Sequence, residues 1–159
     1  MNLAGKLLIA MPGMGDPRFE HSVVFMCAHS PDGAMGLIVN THAPDLSFGQ
    51  LLDQLGISQS DRSRDIRIHL GGPVEHVRGF VLHSGDYAGQ GTTMHVDDRF
   101  GMTATLDILQ ALAEGQPANL SFEREFGKLV GNLDLLAIML AERHQRTIAR
   151  IVQNIATAI

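Results

Sequence analysis

The hydrophobic positions at the start of the chain fall into three short runs separated by glycine and proline. The run 7–11 predicts a buried strand that ends at a rigid loop, Pro12 to His21, in which prolines and glycines oppose regular structure. Two further apolar runs, 22–28 and 34–40, flank the turn cluster Ser30-Pro31-Asp32-Gly33. This arrangement predicts a β-hairpin.

The hydrophobic residues next follow a helical period over 47–55 and then alternate strictly with polar residues over 65–70. Residues 47–55 predict a helix, because Ser47 can cap its start, leucines share one face and Gly56 follows its end. Alternation over 65–70 predicts a half-buried strand whose core-facing side chains are Ile66, Ile68 and Leu70.

The second half of the chain predicts two more strands and two more helices. The strands are 78–84 and 91–96, and a helix capped by Thr103 or Thr105 runs to about residue 113. From Asn132 onward apolar residues recur at three-to-four spacing, which indicates a long amphipathic helix. Since strands come as adjacent pairs with helices after them, we expect an α/β fold of the α+β type with a mixed, largely antiparallel sheet, in a single domain over residues 1–159.

Composition narrows the class of protein. With 159 residues and 45% apolar content, the chain can form a core without disulfides, and its one cysteine, Cys27, lies in an apolar run, which favours a reducing, cytoplasmic location. The N-terminal apolar run is too short to cross a membrane. The net charge is −5 and the basic residues are scattered, so no direct contact with nucleic acid is expected.

Several long segments resemble the YqgE/AlgH family in order and spacing, over residues 3 to about 115. They are the stretch 5–22, Gly33-Ala34-Met35-Gly36-Leu37-Ile38-Val39-Asn40, Gly71-Gly72-Pro73-Val74, Arg78-Gly79-Phe80-Val81-Leu82-His83-Ser84 and 103–109. The resemblance implies one α/β domain whose curved, partly split sheet folds toward a pseudo-barrel with helices packed outside. The family is labelled a transcriptional regulator but has no established biochemical activity. After residue 115 the resemblance fails.

Two glycine-bearing segments are candidates for ligand contact. The Pro12–His21 loop carries Asp16 and Arg18 beside two glycines and could present backbone N–H groups and a charged pair to a small anion. It could equally be an ordinary turn in which Arg18 pairs with a carboxylate. The turn Gly71-Gly72-Pro73 follows a strand but lacks the Lys-Ser/Thr of a phosphate loop, so a tight turn explains it better.

Histidines and hydroxyls on the strands suggest a different chemistry. His69, His83 and His95 could gather on one face and hold zinc, although no His-x-His pair or His-Glu-x-x-His motif occurs. His83-Ser84-x-Asp86 contains the residue types of a hydrolytic triad, but adjacent strand residues point to opposite faces. Both patterns are also typical of strand residues that bond locally.

We therefore expect a noncatalytic binding or regulatory domain, with no catalytic residue, metal or cofactor, and an unidentified protein or small molecule as partner. Its predicted contact surface consists of Pro12, Gly13, Asp16, Arg18, His21, Gly71, Gly72, Pro73, Arg78 and His83. The alternative is a small-molecule hydrolase or metal-dependent enzyme that uses the same loops and the strand histidines. The C-terminal helix could support self-association.

Overall fold

A computed structural model describes residues 2–63, 66–74, 79–87, 89 and 93–115 of the chain. These residues fall into two compact units, the first formed by residues 2–41 and 71–74 and the second by the described residues of 42–70 and 79–115. The helix predicted from Asn132, with its proposed role in self-association, lies outside the described residues. The single domain over 1–159 stays a prediction.

The first sheet is built on the predicted hairpin. It has the strand order β1-β2-β3-β4, with the bounds β1 Leu7–Ile9, β2 Val23–Ser30, β3 Gly33–His42 and β4 His69–Gly71. β1 and β3 both pair antiparallel with β2, so that Val24 lies opposite Leu8 on one side and Ile38 on the other. The register shifts between Met26 and Ala28, which makes Cys27 the extra residue of a β-bulge.

The first unit has a core on one face of this sheet. Its buried residues come from β1, β2, β3 and the loop between β1 and β2. They are Leu8, Phe19, Val24, Met26 and Ile38. β2 is buried on both faces, since Phe25 and Cys27 are buried as well. A central strand buried in this way reads as a continuous apolar run, which is the pattern seen in its sequence.

The two helices begin and end close to the predicted residues. α1 spans Phe48–Gln54 and has a capping box, in which the Ser47 hydroxyl accepts from the Gln50 N–H and the Gln50 side chain accepts from the Ser47 N–H. α2 spans Leu106–Ala113 with Thr105 at its N-cap, and here the threonine side chain makes no capping hydrogen bond. These two helix predictions are confirmed.

The second sheet contains a strand that the sequence pattern did not predict. Its order is β5-β7-β6, with β5 Val81–Ser84, β6 Thr93–His95 and β7 Phe100–Thr103, and both pairings are antiparallel. All four residues of the central strand β7 are buried. The second unit packs its apolar residues between the helices and neighbouring segments in a cluster of Phe48, Leu52, Ile108, Leu112 and Ala113.

The described residues form a mostly antiparallel β structure with two short helices, and this corrects two expectations. The sheet implied by the resemblance was a pseudo-barrel, whereas the described strands form two sheets of which neither closes into a barrel. The strand predicted over 65–70 is a strand only at β4, and Leu70 is 58% exposed although the alternation placed it toward the core. Within the described residues, no helix is long and apolar enough to cross a membrane.

Candidate functional site

The loop between β1 and β2 is organised by an internal ion pair. The Arg18 Nη2 lies 2.6 Å from the Asp16 Oδ2, the Arg18 Nε lies 3.0 Å from the Asp16 Oδ1, and the Arg18 N–H donates to the same Oδ1 at 3.0 Å. These hydrogen bonds lower the pKa of the Asp16 carboxyl. The guanidinium is thus already paired, as the second of the two sequence-based interpretations of this loop predicts.

The end of the loop is held by a side chain from β3. Asn40 donates from Nδ2 to the carbonyl oxygen of His21 at 2.8 Å and accepts at Oδ1 from the N–H of Val23 at 2.8 Å. His21 has a φ of 58°, in the left-handed region that few residues other than glycine adopt. One of these bonds is made to His21 itself and the other to Val23, so Asn40 fixes the chain at the strained residue and two positions after it.

This arrangement presents polar side chains on a fixed base. Phe19, inside the loop, and Ser22, just after it, are buried, and the Ser22 hydroxyl donates to the Phe19 carbonyl at 2.7 Å. Above them Arg18 and Glu20 are exposed, and the His21 side chain is 86% exposed, 3.5 Å from the Glu20 carboxylate. The loop is therefore rigid at its ends and polar at its surface.

The predicted turn after β4 has the backbone that its glycines allow. Gly71 has a φ of +69° and Gly72 a φ of +146°, and both lie beside β3, near the side chains of Leu37 and Ile38. Pro73 follows in a bend. These residues belong to the same unit as the Pro12–His21 loop, whereas Arg78, another member of the predicted surface, lies outside the described residues.

His83 lies in a buried polar network instead of on the surface. Its side chain is 1% exposed, its Nδ1 lies 2.8 Å from the carbonyl oxygen of Ser84, and its Nε2 lies 2.9 Å from the Thr103 hydroxyl. Since a carbonyl only accepts, Nδ1 carries the proton and Nε2 accepts from Thr103. The Thr103 hydroxyl in turn lies 2.8 Å from that of Thr93.

This environment keeps the imidazole neutral. Burial lowers the pKa of His83 from its ordinary value, and His95 adds to the lowering, while the Ser84 carbonyl and the Asp86 charge oppose it. The Ser84 hydroxyl donates to Asp86, so it is not directed at the imidazole. The residue types of a triad are present, but they do not assemble as one.

The three strand histidines do not converge on one site. His83 and His95 lie in the same register row, each opposite Gly101, whereas His69 is in the other sheet. His69 is instead a neighbour of His42, with their ring centroids 4.6 Å apart. Among the described residues, no three His, Cys, Asp or Glu side chains are grouped so that they could hold a metal ion.

An open groove of about 310 Å³ lies beside His42, in the second unit. Most of its walls are apolar or aliphatic, and it is lined by His42, Ala43, Leu46, Ser47, Ile66, Arg67 and Ile68. From the sequence, three of these residues had only structural roles: Ser47 as a helix cap, and Ile66 and Ile68 as core-facing strand residues. The one sequence feature that could have indicated the groove is His42, which ends β3. Its position beside β4 follows only from the pairing of the strands.

Sequence reasoning also missed Asn40 and Thr103 as organising residues. Asn40 acts on residues 17 and 19 positions away, and Thr103 acts on a histidine 20 positions away. A polar side chain in an otherwise apolar strand was the one available signal for each. Thr103 is fully buried and so needs a partner, whereas Asn40 is exposed and carries no such requirement.

Comparison with known proteins gives consistent matches. The AlgH-like family profile matches residues 7–124. A UPF0301 protein of Cereibacter sphaeroides is 65% identical over 116 residues, which cover 73% of this chain and 63% of that protein. A UPF0301 protein of Ruegeria pomeroyi is 62% identical over 114 residues, covering 71% of this chain and 61% of that protein.

The fold is also similar to that of a solved structure. The solution structure of the AlgH protein from Pseudomonas aeruginosa, a UPF0301 protein, matches with a TM-score of 0.60 and 36% identity, covering 74% of this chain and 62% of that chain. The chain thus spans about 61–63% of the length of these relatives. The match of the family profile to residues 7–124 and the 65% identity to the Cereibacter sphaeroides protein show that the chain belongs to the AlgH-like family, whose function is uncharacterised.

Proposed function

We propose that this chain is a noncatalytic binding domain that contacts a protein partner through the Pro12–His21 loop, with the turn Gly71–Pro73 as a second element of the same unit. The observation that carries the proposal is the strained, exposed His21, held by Asn40 with a φ of 58°. Strain of this kind costs about 1–3 kcal/mol and persists where the surrounding structure imposes it, often at sites of recognition.

The charges of the loop favour a protein over a small anion. Arg18 is paired with Asp16, so its charge is compensated inside the loop, and Glu20 adds a negative charge. A free phosphate or carboxylate would have to compete with Asp16 for the guanidinium. A protein surface with its own donors and cations can instead bind Glu20 and His21 without breaking that pair.

His83 is not part of this proposed surface, because its side chain is buried and both ring nitrogens are bonded. Arg78 stays a predicted contact residue. Regulation, including regulation of transcription, and a cytoplasmic location are proposals that rest on the family resemblance and the composition. The activity and partners of the whole protein are proposals as well, since the chain spans about 63% of the Cereibacter sphaeroides relative.

Site-directed photo-crosslinking tests the proposal. Glu20→Cys labelled with a benzophenone maleimide places the probe on the loop, and the native thiol does not interfere, because burial raises the pKa of Cys27 to about 12. On incubation with cell extract, we expect one defined adduct from position 20. The same label on Asp53→Cys, on the exposed side of α1, is the matched control and gives no such adduct.

A second variant tests whether the strained conformation of the loop matters for contact with the partner. Asn40→Ala in the Glu20→Cys background releases the His21 carbonyl, so the adduct should weaken while the fold, checked by circular dichroism, is kept. Equal adducts from positions 20 and 53, or an adduct that is indifferent to Asn40, would show that the loop is not the contact surface.

One observation favours the alternative, a hydrolase. The Thr103 hydroxyl lies 2.9 Å from the His83 Nε2, and the Ser84 carbonyl orients the imidazole. In a hydrolase, these groups would correspond to the nucleophile, the general base and the group that orients the base. Thr103 is fully buried, however, so no substrate reaches its hydroxyl in this structure. If the pair is structural, Thr103→Val lowers the free energy of unfolding by about 1–3 kcal/mol and changes no activity. Loss of hydrolysis of a panel of p-nitrophenyl esters in this variant, with Thr103→Ser still active, would support the enzyme instead.

A further inference from the structure

Two histidines that meet at the junction of β3 and β4 form a pair that the binding proposal does not use. His42 ends β3 and His69 begins β4, and the N–H of Ala43 donates to the Ile68 carbonyl at 2.9 Å, which fixes the two segments against each other. Both side chains belong to exposed residues. The backbone therefore holds two imidazoles at one accessible place.

The separation of the rings suits a shared ligand. Two imidazole nitrogens at roughly 2.0–2.1 Å from one ion, with an angle of about 90–110° between them, place the ring centroids roughly 4.5–5.2 Å apart. The observed distance is 4.6 Å. The rings are tilted by 43°, which is neither the stacked nor the edge-to-face geometry of an ordinary aromatic pair.

The chemical state of His69 is that of a metal ligand. Partial burial and the nearby His42 lower the pKa of His69 from its ordinary value, which favours the neutral imidazole, the form that binds metals. A hydrogen bond to the backbone of Arg67 opposes this shift. Such a bond uses one ring nitrogen as donor and leaves the other to bind, as is usual for histidine ligands of metals.

We propose that His42 and His69 form a two-histidine site for a late first-row divalent cation such as Cu²⁺, Ni²⁺ or Zn²⁺, with water in the remaining positions. Imidazole suits these ions, and the open groove beside His42 leaves room for the waters. The nearby positive charge of Arg67 weakens the attraction for a cation, so we expect a modest affinity. Cu²⁺ should bind more tightly than either Ni²⁺ or Zn²⁺.

Isothermal titration of the full chain, without a polyhistidine tag, with NiCl₂ and CuCl₂ tests the site. We expect one ion per chain at the tightest site, and a loss of affinity of about tenfold or more in either His42→Gln or His69→Gln, since even residues that only orient a ligand contribute 10–100-fold. The double variant should be little weaker than each single one, because one imidazole alone cannot chelate. His29→Asn removes a histidine on β2, outside both the His42–His69 pair and the Pro12–His21 loop, and should leave the affinity unchanged.

A measurement on the unaltered chain tests the site without relying on variants, which could misfold. Substoichiometric Ni²⁺ should broaden the imidazole resonances of His42 and His69 before those of the other histidines, and EDTA should restore them. Broadening that begins at another histidine, an unchanged affinity in either single variant, or losses that add in the double variant would overturn the proposal.

Discussion

At the scale of single residues, His83 is a fully buried polar side chain in the second unit. Its ring packs against Gly101, where an added Cβ would lie 2.7 Å from the His83 Cε1, and forms an edge-to-face pair with the Tyr87 ring, with the centroids 5.1 Å apart. Among the described residues, no buried side-chain polar atom lacks a hydrogen-bond partner. The imidazole is thus a neutral core residue with fixed partners.

The buried imidazole predicts a pH dependence of stability. In the unfolded chain His83 regains an ordinary pKa of 6.5, whereas in the folded chain its pKa is lower, so the unfolded state binds more protons in the window between the two. The free energy of unfolding therefore falls as the pH is lowered through about 6.5, and the loss levels off below the folded pKa. Melting temperatures measured from pH 8 to pH 5 should show this decline.

Substitutions separate the contribution of His83 from that of other groups. His83→Gln should be less stable than the unaltered chain at pH 8 but should lose less stability on acidification. His69 also has a lowered pKa, so part of the slope remains in His83→Gln. Parallel curves for His83→Gln and the unaltered chain would mean that His83 does not titrate on unfolding.

At the scale of elements, the hairpin depends on a residue without a side chain. A Cβ at Gly36 would lie 2.6 Å from the Val24 Cγ1 and 3.3 Å from the backbone oxygen of Phe25. We expect Gly36→Ala to lower the free energy of unfolding by about 1–3 kcal/mol, as overpacking does. Gly15→Ala is the matched control, because nothing lies within 4 Å of its added Cβ. Urea denaturation compares the two, and equal midpoints would contradict the close approach.

The two helices offer a second paired comparison. Ser47 makes both bonds of a capping box at α1, whereas Thr105 makes no capping bond at α2. We expect Ser47→Ala to cost about 1 kcal/mol of stability, and Thr105→Ala to cost less. Ser47→Asp should retain most of the stability, because aspartate also caps. The prediction fails if urea midpoints rank Thr105→Ala below Ser47→Ala.

These elements show what a sequence can and cannot predict. The hairpin and both helices follow from local signals: turn residues between apolar runs, a capping serine, and glycines at helix ends. β7 was missed because Phe100-Gly101-Met102-Thr103 is buried on both faces, so it shows no alternation, and its glycine reads as a break. The hold of Asn40 on His21 was missed because it depends on the register of β2 against β3, and no local pattern encodes it.

At the scale of the whole molecule, charge bears on the regulatory label of the family. The chain carries a net charge of −5, so it has no excess of cations to release counterions from DNA. We expect no retardation of duplex DNA in a gel at about 0.15 M salt, where the screening length is about 8 Å. Salt-sensitive retardation by the purified chain would instead reveal a local basic surface despite the negative net charge.

The bulge in the middle of β2 gives the molecule a built-in reporter of its own motions. Cys27 is buried there and its thiol is the one thiol in the chain, so a reagent such as a disulfide dye modifies it only when the strand opens. Under native conditions, the ratio of that rate to the rate for a free thiol gives the free energy of opening. A value equal to the global free energy of unfolding would make β2 part of the last structure to open, and a smaller value would show that the first sheet opens while the rest stays folded.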